Sequence, residues 1–284
     1  MNTPTPAFDI EAYFKRIGYS GTPSPTLETL QQLHLRHPQS IPFENLNPFL
    51  RWPVNLDASS LQEKLIHNGR GGYCYEQNLL FRHVLQTIGF DVVGLAARVS
   101  WNTAEDVVLP RTHMLLRVNL AQQSYIADVG FGGLTLTTPL RLETNVEQRT
   151  PHEPFRLIAD GTEFVLQAKL GDSWKTLYRF TLEEQLLPDY EMANWYVSCH
   201  PQSRFVNRLI VARTAPDRRY ALLNNEFKTH DLTGKTESRI LHTVADIRAT
   251  LEGPLGLTLP SGGELDKALL RLLTGSAQAG QPGD

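Results

Sequence analysis

Apolar positions in the first ninety residues recur at the spacing of helices. A first predicted helix has its apolar face at Ile10, Tyr13, Phe14 and Ile17. A second has its apolar face at Leu27, Leu30 and Leu33. We expect Thr26 to cap the second helix and the pair His37-Pro38 to end it, because proline disfavours helical geometry in the residue before it.

Two further helices are predicted before residue 90. One begins at Ser59 or Ser60 and ends at Asn68-Gly69, with Leu61, Leu65 and Ile66 on one side. The other begins near Cys74 and ends at Gly89. Its apolar positions are Leu79, Leu80, Val84, Leu85 and Ile88.

After residue 90 the pattern changes to short β-branched or alternating runs, which are typical of strands. The runs DVVGLAARVSW, THMLLRVNL and SYIADVGF are separated by turn residues. The stretch FRLIADGTEFVLQAKLGDSWKTLYRF predicts three antiparallel strands with turns at Asp160-Gly161 and Gly171-Asp172.

From about Pro188 the pattern mixes strands and helices. RLIVART, RYALLNN and the segment around Phe227 predict strands, and ELDKALLRLLTG predicts a last short helix. TVADIRATLEGPL predicts a helix that opens with Thr243 and Asp246 as a capping box. The order of helices, antiparallel strands and a mixed piece predicts an α+β fold. We expect divisions at 1–90, 91–188 and 189–276, and a flexible tail over 277–284.

Composition and charge exclude several functional classes. The chain of 284 residues has 41% hydrophobic residues and a net charge of -3, which does not fit the basic surface of a nucleic-acid binder. No run reaches eighteen apolar residues, and MNTPTPAFDIEA lacks the regions of a secretion signal, so we expect no membrane span and a cytoplasmic location. Cys74 and Cys199 are too few for a disulfide framework or a zinc cage, and we expect two free thiols and no metal.

The segment RGGYCYEQN places Cys74 where the fourth helix begins. A thiol reacts as its thiolate, which the unpaired N–H groups and partial positive charge of a helix N-terminus stabilise. We expect Gly71 and Gly72 to allow a tight turn and to leave space for a substrate beside the sulfur. The same N–H groups would suit an oxyanion hole. The alternative is that Cys74 is a small buried apolar residue, the commoner fate of a free cysteine.

A nucleophile of this kind needs a base, and the base needs an orienting group. His113, in RTHMLLRV, shares a strand face with Leu115, and Asp128 lies one hairpin further on. A carboxylate there would fix the imidazole tautomer and stabilise the imidazolium. With nine histidines and thirty acidic residues in the chain, spacing alone does not select this pair, and a strand histidine is more often structural.

Four segments together resemble the arylamine N-acetyltransferases. They are IPFENL (41–46), RGGYCYEQN (70–78), THMLL (112–116) and DVGFGG (128–133), and NWYVSCHPQSRF (194–205) is similar to a further family segment. The resemblance implies an N-terminal helical bundle, an antiparallel β-barrel and a C-terminal α/β lid around a cysteine-protease or transglutaminase-like core. It also implies a ping-pong reaction in which acetyl-coenzyme A acylates the cysteine and an arylamine, arylhydrazine or N-hydroxyarylamine accepts the acetyl group, as in xenobiotic metabolism.

The resemblance assigns roles to matching residues. It implies Cys74 as nucleophile, His113 as general base and acid, and Asp128 as the group that orients His113. Walls of the acceptor pocket are implied at Phe43, Val99, Phe131 and Phe205, and a close approach to the cofactor at Gly130, Gly132 and Gly133. The motif GFGG alone is no phosphate-binding fingerprint, and a tight hairpin turn is the alternative.

Two positions near these motifs invite separate interpretations. Arg70 either binds a phosphate of the cofactor or pairs with Glu44 to brace the site, and the resemblance favours the pair. Cys199 stands where the family more usually has threonine. We expect it to be inert, because no helix N-terminus or glycine pair precedes it.

The same three groups would also suit a cysteine hydrolase or a transglutaminase-like enzyme. A dry aromatic pocket favours an amine acceptor, whereas an open polar cleft admits water or a peptide. A catalytically dead binding module on the same scaffold is the third hypothesis, although it would have little reason to keep all three groups. The oligomeric state does not follow from the sequence.

Overall fold

The computed structural model describes residues 8–104 and 107–278, and its N-terminal part is a group of helices around one apolar core. The helices are α1 (Ile10–Ile17), α2 (Leu27–Ser40), α3 (Leu46–Phe49), α4 (Ala58–Leu61) and α5 (Cys74–Ile88). A short strand, β1 (Phe43–Glu44), lies between α2 and α3. The apolar positions predicted for the helices are buried here, since Tyr13, Leu33 and Leu80 are all 0% exposed.

Two predicted helix boundaries are wrong. Helix α2 continues past Pro38 to Ser40, because proline in the last turn removes only its own N–H while the N–H of Ile41 still bonds the His37 carbonyl. Helix α4 begins at Ala58 rather than at Ser59 or Ser60, because Asp57 caps it by accepting the Ser60 N–H at 2.9 Å. It continues as a π-helical segment over Gln62–His67.

Seven antiparallel strands form the second layer. They are β2 (Asp91–Val99), β3 (Arg111–Leu120), β4 (Gln123–Ala127), β5 (Leu140–Arg141), β6 (Phe155–Asp160), β7 (Glu163–Leu170) and β8 (Ser173–Phe180), in the order β5-β4-β3-β2-β8-β7-β6. The segment after β5 returns to the opposite edge, where Gln148 and Phe155 exchange backbone hydrogen bonds of 2.8 and 2.9 Å. The sheet therefore closes on itself as a barrel with its own apolar core.

The C-terminal part combines helices with a second sheet. Its helices are α6 (Leu187–Cys199), α7 (Arg204–Asn207), α8 (Val244–Glu252) and α9 (Glu264–Gln278). Its strands are β9 (Ile210–Ala215), β10 (Arg218–Leu223), β11 (Glu226–Asp231) and β12 (Thr236–Ile240). The sheet order is β1-β9-β10-β11-β12, so the N-terminal segment supplies an edge strand through the pair Phe43 and Ala212.

Helix α6 has no counterpart among the sequence predictions. Its apolar residues occupy both sides, with Tyr190 and Val197 buried but Met192 and Trp195 exposed, so no helical periodicity marks it. The predicted division after residue 188 falls inside this helix. The predicted tail begins inside α9, and residues 279–284 lie outside the described part of the chain.

The α+β fold class is confirmed, and its layers determine where the chemistry lies. Strand β3 is buried on both sides, with Met114 and Leu116 facing the helices and Leu115 facing the barrel core. Helix α5 packs across β3 and β2. None of the helices in the described residues is long and apolar enough to cross a membrane.

Candidate active site

Cys74 is the first residue of α5 and is only 4% exposed. Its Sγ lies 3.7 Å from the carbonyl oxygen of Thr112 on β3, so the helix start faces the strand that carries His113. The first N–H groups of a helix have no intrahelical acceptor and carry its positive dipole end. The sulfur therefore sits in a partly positive, nearly dry position.

His113 joins Cys74 to a buried carboxylate. Its Nε2 donates to Asp128 Oδ2 at 2.7 Å, and both side chains are almost fully buried. The imidazole also interacts with the Cys74 side chain. Because Nε2 already donates to Asp128, Nδ1 is the nitrogen that can hydrogen-bond the sulfur. The three residues expected from the sequence thus form a contiguous Cys–His–Asp arrangement.

The charge state of His113 follows from its neighbours. Burial alone would lower the pKa of His113, but the charge and hydrogen bond of Asp128, together with Cys74, raise that pKa to about 10. The imidazolium is therefore the resting form at neutral pH. An imidazolium beside the sulfur favours a preformed thiolate–imidazolium pair.

Asp128 is held as a carboxylate by four donors. Its Oδ2 accepts from His113 and from the Tyr178 hydroxyl at 3.0 Å, while Oδ1 accepts from Asn78 Nδ2 at 3.0 Å and from the Gly130 N–H at 2.9 Å. Burial would raise the pKa of Asp128, but His113 and these hydrogen bonds hold it below its usual value. All four of these hydrogen-bond partners are donors, which favours the charged carboxylate over its protonated form.

Sequence reasoning missed Asn78 and Tyr178. Asn78 is four residues after Cys74, hence on the same face of α5, and this i, i+4 spacing was an available signal. Tyr178 reaches Asp128 from β8 across 50 residues of sequence, and nothing in its local sequence marks it.

A large cavity opens beside these residues, with a volume of about 1300 Å³. It exceeds the usual range of roughly 300–1,000 Å³ for small-molecule pockets, so it has room for more than a monocyclic ligand. Its lining includes all seven positions expected from the sequence: Phe43, Val99, Gly130, Phe131, Gly132, Gly133 and Phe205. The cavity lies between the barrel and the C-terminal part, which supplies lining residues from α6 through β12.

Aromatic rings form the wall nearest the imidazole. The Phe131 ring stands edge-on to His113 with centroids 5.3 Å apart, and it also packs against Tyr178. Phe43 and Phe205 are 6.2 Å apart and pack against each other. These rings give the cavity an apolar surface beside the sulfur, which suits a flat aromatic ligand.

The glycines before Cys74 do not leave space for a substrate, contrary to the expectation from sequence. A Cβ on Gly71 would collide with the Pro42 carbonyl, and one on Gly72 would lie 2.9 Å from Glu76 Cβ. Both positions are filled by neighbouring protein atoms, and neither lines the cavity. These glycines allow close packing of the chain around the helix start.

The three glycines at 130, 132 and 133 differ in the space around them and in backbone conformation. A Cβ on Gly130 would lie 2.8 Å from the Cα of Cys74, so this glycine lets the loop pack against α5. Gly132 has φ +94, a left-handed conformation that favours glycine. Gly133 has open space where a Cβ would stand, so of the three it is the one with room for a ligand.

Glu44 and Arg70 form a buried pair below the site. Arg70 Nε and Nη2 both donate to Glu44 Oε1, at 3.1 and 2.7 Å, and Nη2 also donates to Asn47 at 2.9 Å. Lys64 Nζ lies 3.8 Å from Glu44 Oε1 and donates to Glu76 at 2.6 Å, and Glu76 in turn accepts the Tyr73 N–H. The pair is thus connected to the residue that precedes Cys74, which fits a bracing role.

Arg70→Lys is expected to lower stability with little effect at the cavity, because Arg70 does not line it. A lysine keeps the charge but cannot reproduce the planar fork of N–H groups, and losing a charge-assisted hydrogen bond of this kind costs about 2 kcal/mol of unfolding free energy. Denaturant unfolding measures the loss. Unchanged stability together with weaker binding of a phosphorylated ligand would instead show that Arg70 contacts a phosphate.

Cys199 lies apart from this arrangement. It is exposed, it is the last residue of α6, and it does not line the cavity. A helix C-terminus presents the negative end of the peptide dipoles, the opposite of the position of Cys74. The described residues contain no group of three or more His, Cys, Asp or Glu side chains suited to a metal ion.

Comparison with known proteins identifies relatives of this chain. The model of the N-acetyltransferase family matches residues 26–263. The arylamine N-acetyltransferase of Mycobacterium tuberculosis H37Rv is 43% identical over 281 residues, 98% of this chain and 98% of its own length. The arylamine N-acetyltransferase / N-hydroxyarylamine O-acetyltransferase of Salmonella typhimurium is 42% identical over 76% of each chain. The structure of Mycobacterium marinum arylamine N-acetyltransferase in complex with CoA matches with a TM-score of 0.90 and 39% identity, covering 93% of this chain and 99% of that one.

Proposed function

The chain belongs to the arylamine N-acetyltransferase family, and on that premise we propose that it transfers an acetyl group from acetyl-coenzyme A to an aromatic amine through a thioester on Cys74. The proposed acceptors are arylamines, arylhydrazines or N-hydroxyarylamines. The names of the relatives give arylamines and N-hydroxyarylamines as the acceptors of those proteins. The observation that carries the mechanism is the contact of His113 with both Asp128 and Cys74 at the wall of the cavity.

The first half-reaction acylates the sulfur. The Cys74 thiolate attacks the thioester carbonyl of acetyl-coenzyme A, and the N–H groups at the start of α5 stabilise the oxyanion that forms. The C–S bond to coenzyme A then breaks, and the imidazolium of His113 supplies the proton that coenzyme A carries away as its thiol. Acetyl-Cys74 and a neutral imidazole remain.

The second half-reaction uses that neutral imidazole. The amine nitrogen attacks the acetyl-Cys74 carbonyl, and His113 takes the proton that the nitrogen loses. Breaking the C–S bond releases the amide and regenerates the thiolate and the imidazolium. Asp128 serves both halves, because it keeps the imidazole in one tautomer and stabilises its charged form.

The cavity supports an aromatic acceptor. Phe131 stands beside His113, and Phe43 and Phe205 add further apolar surface, so an arylamine ring would pack there while its nitrogen faces the sulfur. The volume of about 1300 Å³ leaves room for the pantetheine arm of the donor near Gly133. The M. marinum relative was solved with CoA, which supports the same donor here.

Intact-protein mass spectrometry tests the proposal in two steps. Acetyl-coenzyme A is expected to add one acetyl group, mapped to Cys74, and an anisidine is expected to remove it with formation of the anilide. Cys199→Ser is the matched control, since it removes the exposed thiol and should form the same adduct. An adduct lost to water at the same rate with and without amine would favour the hydrolase alternative.

We also propose a cytoplasmic location, because the mechanism requires Cys74 to stay reduced. Both cysteines are free thiols, as expected from the sequence. Thiols persist in a reducing compartment. Fractionation with a cytoplasmic marker enzyme tests this.

A further inference from the structure

His34 lies outside the three residues of the proposed mechanism but hydrogen-bonds one of them. It is on α2, it is 0% exposed, and its Nε2 accepts the backbone N–H of Asp128 at 3.0 Å. A backbone N–H only donates, so Nε2 is the unprotonated nitrogen, and the neutral ring carries its proton on Nδ1.

The backbone N–H of Asp128 needs an acceptor from outside the sheet, because β4 ends one residue earlier. The last pair of the β3–β4 ladder is Leu116 with Ala127. Beyond it, His34 of α2 accepts the N–H of Asp128, and Asn78 Oδ1 of α5 accepts the N–H of Val129 at 3.1 Å. Two helix side chains therefore continue the hydrogen bonding of the strand through the residue that carries the carboxylate.

Histidine is an unfavourable choice at this position if packing is its only role. Nδ1 of His34 is buried without a hydrogen-bond partner among the described residues. An unpaired buried donor destabilises a fold, whereas leucine would fill similar space without that penalty. Such an exception calls for an explanation, and the Nε2 acceptor provides one.

We propose that His34 is a positioning residue: by accepting the Asp128 N–H, it fixes the backbone from which the carboxylate reaches His113. This rests on the proposed function, because its consequence is an imidazolium held beside Cys74. Asn78 and Tyr178 hold the carboxylate oxygens, and Asn78 also holds the N–H of the next residue, Val129, whereas His34 holds the N–H of Asp128 itself.

Only the neutral ring of His34 accepts this hydrogen bond. Burial lowers the pKa of His34 to about 3, with Asp128 opposing the shift and His37 adding to it. The edge of the ring packs on Phe81, with centroids 5.8 Å apart. The ring therefore stays neutral, and able to accept, over the range in which the enzyme would work.

Three variants test this role: His34→Leu, His34→Gln and Leu33→Ala. Leucine removes the acceptor. Glutamine places an amide oxygen near the position of Nε2 and should restore the bond. Leu33 is equally buried on the same helix, and its side chain has no hydrogen-bonding group, so its variant controls for general loss of packing. Each is measured by the rate of acetyl-Cys74 formation and by the pH profile of Cys74 alkylation with iodoacetamide.

We expect His34→Leu to lower the acetylation rate about tenfold to a hundredfold, the range for one lost buried hydrogen bond. Its KM for acetyl-coenzyme A should not change, since His34 does not line the cavity. Alkylation below pH 7 should slow relative to pH 8.5, because a displaced Asp128 supports the imidazolium less. His34→Gln should stay within about threefold of the wild type, and Leu33→Ala should lower the melting temperature without moving the pH profile.

The proposal is overturned if His34→Leu shows the same rate and pH profile as Leu33→Ala. If His34→Leu does not fold, His34→Asn carries the same test, because its amide is too short to reach the N–H. Alkylation does not depend on acetyl transfer, so a wild type that forms no acetyl adduct would refute the proposed function while the alkylation profiles still decide the role of His34.

Discussion

Cys74→Ser is expected to abolish acetyl transfer, lowering the acetylation rate by at least about ten-thousandfold. The serine hydroxyl has nearly the shape of the thiol. It keeps its own proton, however, because the neighbouring His113 is already protonated. His113 cannot act as a base for serine in that state, because its pKa of about 10 leaves it charged at neutral pH. The rate of coenzyme A release, followed with a thiol reagent, measures the loss.

The fold should tolerate this change, which makes the result interpretable. The sulfur lies 3.7 Å from the Thr112 carbonyl oxygen, and a serine hydroxyl can donate to the same oxygen. We therefore expect the melting temperature to remain within a few degrees of the wild type. Cys199→Ser should keep full activity. Substantial acetyl transfer by Cys74→Ser would show that another group carries the acetyl, and the ping-pong scheme would have to be abandoned.

The helix that carries Cys74 was predictable because its signals are local. A nine-residue segment contains Cys74, the proposed nucleophile, and the start of α5, and Gly89 in a left-handed conformation ends that helix as expected. His113 lies on β3 and Asp128 directly follows β4, the second strand of the same hairpin, where alternation and register are also short-range properties. The sequence thus indicated a Cys–His–Asp arrangement, although the family resemblance was needed to select this histidine among nine.

The support of the carboxylate was not predictable, because it is assembled from distant elements. His34 and Tyr178 approach Asp128 from positions 94 and 50 residues away in the chain. Neither lies in a motif, and a buried histidine looks the same in sequence whether it packs or accepts a hydrogen bond. Helix α6 escaped prediction for a different reason, since apolar residues on both its buried and exposed sides cancel the periodic signal.

Asp128→Asn is expected to lower the acetylation rate by about a thousandfold to ten-thousandfold. Four donors surround this carboxylate, and an asparagine can offer them only one oxygen while its NH₂ group faces donors. Without the negative charge, burial dominates, so the pKa of His113 should fall from about 10 to below its usual 6.5. The imidazole would then be neutral at pH 7, and the thiolate would lose its paired cation.

The pH dependence separates this electrostatic effect from simple misfolding. In the wild type the imidazolium persists up to about pH 10, so a thiolate at Cys74 keeps its paired cation and the iodoacetamide rate at pH 7 should exceed that of Asp128→Asn. In Asp128→Asn that rate should rise with pH, as for an ordinary thiol with a pKa of about 8.5. A flat profile in the variant would show that the carboxylate does not sustain the imidazolium.

The free energy of unfolding should also depend on pH through the interaction between Asp128 and His113. The raised pKa of His113 contributes stability that is complete below about pH 6.5 and is lost as pH rises through about 10. The lowered pKa of Asp128 contributes stability present above its usual 3.8 and lost as pH falls below that value. The difference in unfolding free energy between wild type and Asp128→Asn should therefore be largest between about pH 3.8 and 6.5 and should shrink above and below that range. A difference that is constant with pH would mean that the substitution acts through packing, and that the charge of Asp128 does not hold the imidazolium beside Cys74.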